Sequence, residues 1–100
     1  MSLELILTFT AELIEWRGPA PFYFLRVPEL EAKELSKIAN QVSYGWGVIP
    51  CDVTLGEIDF YTALIPKDGS YLVPLKKSIR SAASVNLGDP VTATLRFDRD

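Results

Sequence analysis

"LELILTFTAEL", residues 3–13, decides how this chain folds. Its odd positions, Leu3, Leu5, Leu7, Phe9, Ala11 and Leu13, are apolar, while the even ones include Glu4, Thr8, Thr10 and Glu12. Period-two alternation marks a β-strand with one buried face. Typical strands run about five or six residues, so a strand this long is expected to bend and serve two parts of a curved sheet.

The chain to the right of this strand repeats the pattern between turns. "WRGPAP" (16–21) cannot extend a ladder, because its prolines lack a donor and glycine favours turns. "FYFLRV" (22–27) resumes as an aromatic strand that Pro28 ends. Residues 29–40, "ELEAKELSKIAN", change period. Ala32, Leu35, Ile38 and Ala39 share one helical face, with Glu29, Lys33 and Lys37 opposite. Glu29 and Glu31 suit the positive end of a helix dipole, and Glu29 is expected to pair with Lys33 one turn on.

"SYGWGVIP" (43–50) brings the chain back through Gly45 and Gly47. "VIPCDVTL" and "EIDFYTALIP" then form a hairpin around Leu55-Gly56-Glu57. In its second strand Ile58, Phe60, Thr62 and Leu64 share one face, and Asp59, Tyr61, Ala63 and Ile65 the other. Asp68-Gly69 is a strong hairpin signal leading to a short strand, Tyr71-Leu72-Val73. Pro74 suits a helix start. From there Leu75, Ile79, Ala82 and Ala83 gather on one side and Lys76, Lys77 and Arg80 on the other. Gly88-Asp89 turns the chain into a last strand with Val91, Ala93, Leu95 and Phe97 inward. The pattern predicts a mainly β fold, a small barrel of about six strands with two short helices, in one domain over residues 1–100.

Composition narrows the chemistry. The 100 residues are 48% hydrophobic and 23% charged, ordinary for a globular domain. A chain of this size buries roughly 65% of its unfolded surface, enough for a self-sufficient core. No run approaches the roughly 18 apolar residues of a membrane span, and Met1-Ser2-Leu3-Glu4 lacks a basic leader, so a cytoplasmic location without membrane contact is expected. The chain has no histidine, which removes imidazole-dependent triads and His-containing zinc sites. Its scattered carboxylates support no metal cage, and Cys51 in "GVIPCDVTL" is expected to be a buried, inert thiol. Without a paired nucleophile motif or a phosphate-cradling glycine loop, no catalytic residue, metal or cofactor is predicted, and a non-enzymatic role follows.

Two features remain as candidate sites. Lys76, Lys77 and Arg80 form a basic helix face in the only basic part of the chain: residues 70–100 hold five Lys/Arg against three Asp/Glu, whereas residues 1–69 hold five against ten. The plainer reading is a solvated face, with Arg80 pairing a carboxylate such as Asp89. The functional reading is a small-anion site in which Arg80 forks onto a carboxylate or phosphate and Lys76 adds a point charge near the helix start. The third reading, DNA binding, asks for roughly six to ten phosphate contacts on one surface. A chain of net charge −3 and pI near 4.9 does not favour it. Among the aromatics, core packing is the usual role, but Trp16 and Trp46 sit beside glycine-containing turns and, with Tyr61, are candidates to line a pocket at the barrel mouth.

Four segments, "EWRGPAPFYFLRVP", "YGWGVIPCDVTLG", "FYTALIPKDGSYLVPLKKSIR" and "NLGDPVTATL", in this order, resemble the domain-of-unknown-function 1905 family of small bacterial and archaeal proteins. The resemblance implies a double-split β-barrel. The resemblance also implies that some members join this domain to a bacteriocin-protection-like domain, which is not expected in a sequence that ends at Asp100. The fold is in turn similar to swapped-hairpin transcription factors of the AbrB and MazE type, with Pro74, Lys76, Arg80, Gly88 and Asp89 matching their signature. Fold similarity does not carry function with it. The reading is therefore a binding or interaction module for a small molecule or protein, as a monomer or weak homo-oligomer, with AbrB-type DNA binding through the Lys76/Arg80 helix as the alternative.

Overall fold

The computed structural model describes residues 3–16, 22–42 and 48–99, with side chains described for 5–16, 22–37 and 48–97. Among the described residues, seven strands and two helices follow one another as β1 (Leu3–Glu12), β2 (Ile14–Trp16), β3 (Phe22–Arg26), α1 (Glu29–Val42), β4 (Ile49–Leu55), β5 (Ile58–Lys67), β6 (Ser70–Pro74), α2 (Lys77–Ala82) and β7 (Pro90–Arg99). The strands make one curled antiparallel sheet, a half-barrel, in the order β1-β7-β4-β5-β6-β3-β2.

The two edge strands of this sheet, β1 and β2, are consecutive in the chain. β1 pairs with β7 and β2 with β3, and only Leu13 separates them. The bend expected within residues 3–13 lies at their end instead: Leu3–Glu12 pairs with β7 throughout, and the chain turns at Leu13 into β2, a three-residue strand that the alternation of 3–13 does not include. Leu13 is almost wholly buried. Its amide donates to the Asp89 carbonyl and its carbonyl accepts from the Gly88 amide, both at 2.9 Å. The Gly88-Asp89 turn thus clamps the corner, with Gly88 at φ +88°, a conformation costly for any side chain. β5 turns the opposite corner: Ile49–Leu55 of β4 pairs with its residues up to Leu64, and β6 pairs from Ile65 onward.

The core lies on the concave face. Leu7, Phe9, Val53, Leu64, Val91, Ala93, Leu95 and Phe97 come from the β1-β7-β4-β5 half, and Leu25, Val27 and Val73 from the β5-β6-β3-β2 half. α1 adds Ala32 and Leu35 and packs against β1, β4, β6 and β7, joining the two halves at one end. The Pro28 carbonyl accepts its first bond from the Ala32 amide, and Lys33 and Glu29 pair at 3.8 Å, as the i,i+4 spacing predicts. The exposed pair contributes little to stability. Asp68 and Gly69 both adopt positive φ, +49° and +80°, which is the two-residue type I′ geometry that Asp-Gly favours.

One boundary differs from the sequence reading. Pro74 does not start α2; it ends β6, opposite Phe24, and the helix begins at Lys77 with Lys76 as its N-cap. Leu75 is the reason. Its amide donates to the Tyr23 carbonyl while its side chain is buried in the core, so the ladder outlasts the proline. Ala82, expected to seat the helix, is exposed, leaving Ile79 and Ala83 packed on the core.

α2 closes with a feature that periodicity does not signal. The Val85 amide donates to the Arg80 carbonyl and the Ser84 amide to the Ser81 carbonyl, the paired bonds of a Schellman end, with Ser84 at φ +55°. Glycine is the residue that occupies this position without steric cost. Ser84→Gly is expected to raise the unfolding free energy by about 1 kcal/mol, measured by urea denaturation. An unchanged or lower midpoint would show that the serine is not strained.

Candidate functional site: an aromatic groove on the outer face

Alternation along β3 and β6 sends Leu25, Val73 and Tyr71 inward, and Phe22, Phe24, Leu72 and Pro74 therefore face outward. Ladder register then sets neighbours: Trp16 lies opposite Phe22, Phe24 opposite Pro74, and Leu72 opposite Ile65. Phe24 and Leu72 are buried, yet they do not belong to the main core. Their cover comes from the outer face itself.

These side chains frame a groove of about 150 Å³ lined by Trp16, Phe22, Phe24, Ile65, Lys67, Leu72 and Pro74. Trp16 and Phe22 stack with ring centroids 6.1 Å apart and planes inclined by 18°. Both remain about half exposed, at 52% and 53%, as does Ile65 at 45%. A contiguous apolar surface of this kind on a β-sheet is a common mark of an interaction site. Lys67 is its one charged lining residue among those described, with Nζ 5.8 Å from the Trp16 ring centroid. The ammonium also stands 4.0 Å from Asp68 Oδ2 in a solvent-exposed pair.

The candidate pocket aromatics separate in the structure. Trp16 lines the groove, but on the convex face and not at a barrel mouth. Tyr61 is exposed on the other half of the outer face, opposite Asp52 and beyond the β5 bend. Trp46 lies outside the described residues. Phe60, also among the aromatics, packs against the core.

The basic helix divides as well. Lys76 and Lys77 are exposed at the start of α2. Arg80 is half-buried: its guanidinium carbon sits 3.8 Å from the centroid of the Tyr23 ring, and Nε donates to the Leu75 carbonyl at 3.2 Å. Stacking a guanidinium on a tyrosine at this distance is a favourable cation–π contact. Asp89, the expected partner of Arg80, instead accepts from the Asn86 amide at 2.8 Å. The three cations therefore do not form one outward cluster, because the helix starts later and sets Arg80 over β3.

Two further polar features are structural in character. A cleft between α1 and the β5–β6 turn contains Glu29, Lys33 and Asp68, and Arg26 there donates from Nη2 to the Asp68 carbonyl at 2.9 Å, tying the turn to β3. Ser70 Oγ, buried beside it, donates to the Val27 carbonyl at 2.6 Å. On the outer face of the other half, Arg96 donates to Thr54, and Thr54 to Asp59 at 2.6 Å. Among the described residues no cluster of three or more Cys, Asp or Glu is placed to hold a metal ion.

The comparison with protein families now bears on this surface. A family model, the domain of unknown function DUF1905, matches residues 9–95. The chain belongs to the DUF1905 family. The match covers β2 to β6, every groove residue and both helices, so the groove is built within the DUF1905 domain itself. Among curated proteins, none matches this chain. No helix among the described residues is long and apolar enough to cross a membrane.

Proposed function

We propose that this DUF1905 domain is a non-catalytic binding module whose ligand seats in the groove of Trp16, Phe22, Phe24, Ile65 and Leu72. One observation carries the reading. Two aromatic side chains and an isoleucine stand about half exposed side by side, over buried residues that contribute nothing to the main core. Keeping apolar surface in water costs roughly 25 cal/mol per Å², so a ligand that covers it gains that free energy on binding. The non-catalytic part is supported by the lack of histidine and by Cys51, whose thiol is buried and pushed up to about 12, mainly by burial and further by the nearby Asp52 carboxylate. A thiol so placed is a poor nucleophile at neutral pH.

A screen of small apolar and aromatic compounds by thermal shift tests the reading on wild type and Trp16→Ala. Because Trp16 is half exposed, its removal is expected to leave the fold intact. Compounds that raise the wild-type midpoint are expected to lose that effect in the variant. Equal shifts in both proteins, or none in either, would overturn the groove as the site.

DNA binding through α2 is the second reading, and the exposure of Lys76 and Lys77 is what favours it. Arg80 speaks against it, since its guanidinium is engaged by Tyr23 and Leu75. A small-anion site built on an Arg80 fork meets the same obstacle. Fluorescence anisotropy with a short duplex at 50 and 200 mM salt is expected to show no saturable binding. Binding that weakens steeply with salt and disappears in Lys76→Gln/Lys77→Gln would establish this second reading instead.

A further inference from the structure

We infer that the groove takes a single-ring aromatic monoanion, such as a substituted benzoate, with the ring among Trp16, Phe22 and Phe24 and the anionic group on Lys67. The inference rests on the groove being the binding site and adds the chemistry of its ligand.

Size comes first. A space of about 150 Å³ accommodates one benzene-sized ring. Shape comes second. Trp16 and Phe22 present ring planes only 18° apart. A flat π-system gains an offset-stacking contact on an exposed ring of this stacked pair that an alkyl chain of equal area does not, worth about threefold or more in affinity. Charge decides the remaining feature. Every other described lining residue is apolar, and Lys67 lines the same space with its ammonium over the Trp16 ring, 5.8 Å from the ring centre. A neutral ligand would leave this cation without a new partner, and a cationic one would be repelled by it.

Asp68 competes for the same ammonium at 4.0 Å, but its side chain is 75% exposed and that of Lys67 49% exposed. Such a pair is weak and readily exchanged for a ligand carboxylate. Removing the Asp68 charge is therefore predicted to tighten anion binding. Asparagine is the suitable replacement, because Asp68 sits at φ +49° and asparagine tolerates that conformation. Its backbone carbonyl, which holds Arg26, is unchanged by the substitution.

The test follows the Trp16 indole N–H in proton–nitrogen NMR spectra, assigned with Trp16→Phe, during titration with 4-ethylbenzoate, 4-ethylbenzyl alcohol and hexanoate. For wild type, 4-ethylbenzoate is expected to bind about threefold to tenfold more tightly than the alcohol, and more tightly than hexanoate. Lys67→Gln should bring the benzoate and the alcohol within about twofold, whereas Asp68→Asn should strengthen benzoate binding and leave the alcohol unaffected. If benzoate and alcohol shift Trp16 equally in wild type, the anion assignment fails and the groove reading stands. Hexanoate binding as tightly as the benzoate overturns the aromatic assignment in the same way. If no probe moves Trp16 or its groove neighbours, both readings fail. Groove resonances that shift on protein dilution alone, with a sedimentation mass that falls as the protein is diluted, would assign the surface to a second copy of this chain and overturn the ligand.

Discussion

Leu13→Ala is expected to lower the unfolding free energy by about 3 kcal/mol, a large share of what a domain of this size possesses. Leu13 is 1% exposed and stands between the two edge strands, where the chain passes from β7's ladder to β3's. Truncation removes buried methyl groups at a corner that cannot collapse freely, because both backbone polar groups of residue 13 are held by the Gly88-Asp89 turn. Urea denaturation followed by circular dichroism measures the change. A loss below about 1 kcal/mol would mean that the corner relaxes around the missing side chain, as an exposed bend would.

The second large effect concerns Cys51. Its thiol, ordinarily near 9.0, is pushed up to about 12 in the folded protein, first by burial and then by Asp52. The native state therefore holds this proton more tightly than the unfolded chain does. Below pH 9 both states are protonated and the contribution to stability is complete. As pH rises from about 9 to about 12 the unfolded chain releases the proton while the folded one retains it, so stability falls by up to about 1.4 kcal/mol per pH unit. The quantity to measure is the difference between wild type and Cys51→Ala, which isolates the thiol. Wild type is expected to lose stability more steeply between pH 9 and 11; parallel curves would show that the thiol is not desolvated. At pH 8 the native thiol should also react with a thiol reagent far more slowly than in urea.

Much of this architecture was legible in local patterns. The alternation of residues 3–13, the Asp68-Gly69 turn, the α1 stripe of Ala32 and Leu35 and the inward set Val91, Ala93, Leu95 and Phe97 each depend on neighbours within one element. The start of α2 was not legible, because Pro74 fits both a helix start and a strand end. A bond between Leu75 and Tyr23, 52 positions apart, decides between them. Arg80 shows the same limit. Helical spacing places it with Lys76 and Lys77, but its guanidinium goes to an aromatic ring on β3 that no local pattern connects to it.

For the candidate site, single aromatics were visible but not their assembly. Trp16 stood out by its place beside a turn, and Phe22 and Phe24 by their number. Ile65, Lys67 and Leu72 carried no signal of their own. Alternation puts Ile65 on the same face of β5 as Tyr61, and only the bend after Leu64 parts the two, sending Tyr61 to one half of the surface and Ile65 to the groove.

By itself the sequence determined most of the strands, their turns and inward faces, the long amino-terminal strand and the want of imidazole chemistry, because period, turn residues and composition act within a few residues of one another. The tertiary structure alone decided which outward side chains become neighbours. Trp16 meets Phe22 across one ladder and Leu72 meets Ile65 across another, and the curl of the sheet gathers both pairs around one groove with Lys67 at its rim. That gathering depends on strand register and on two corners, and neither is a property of any single segment.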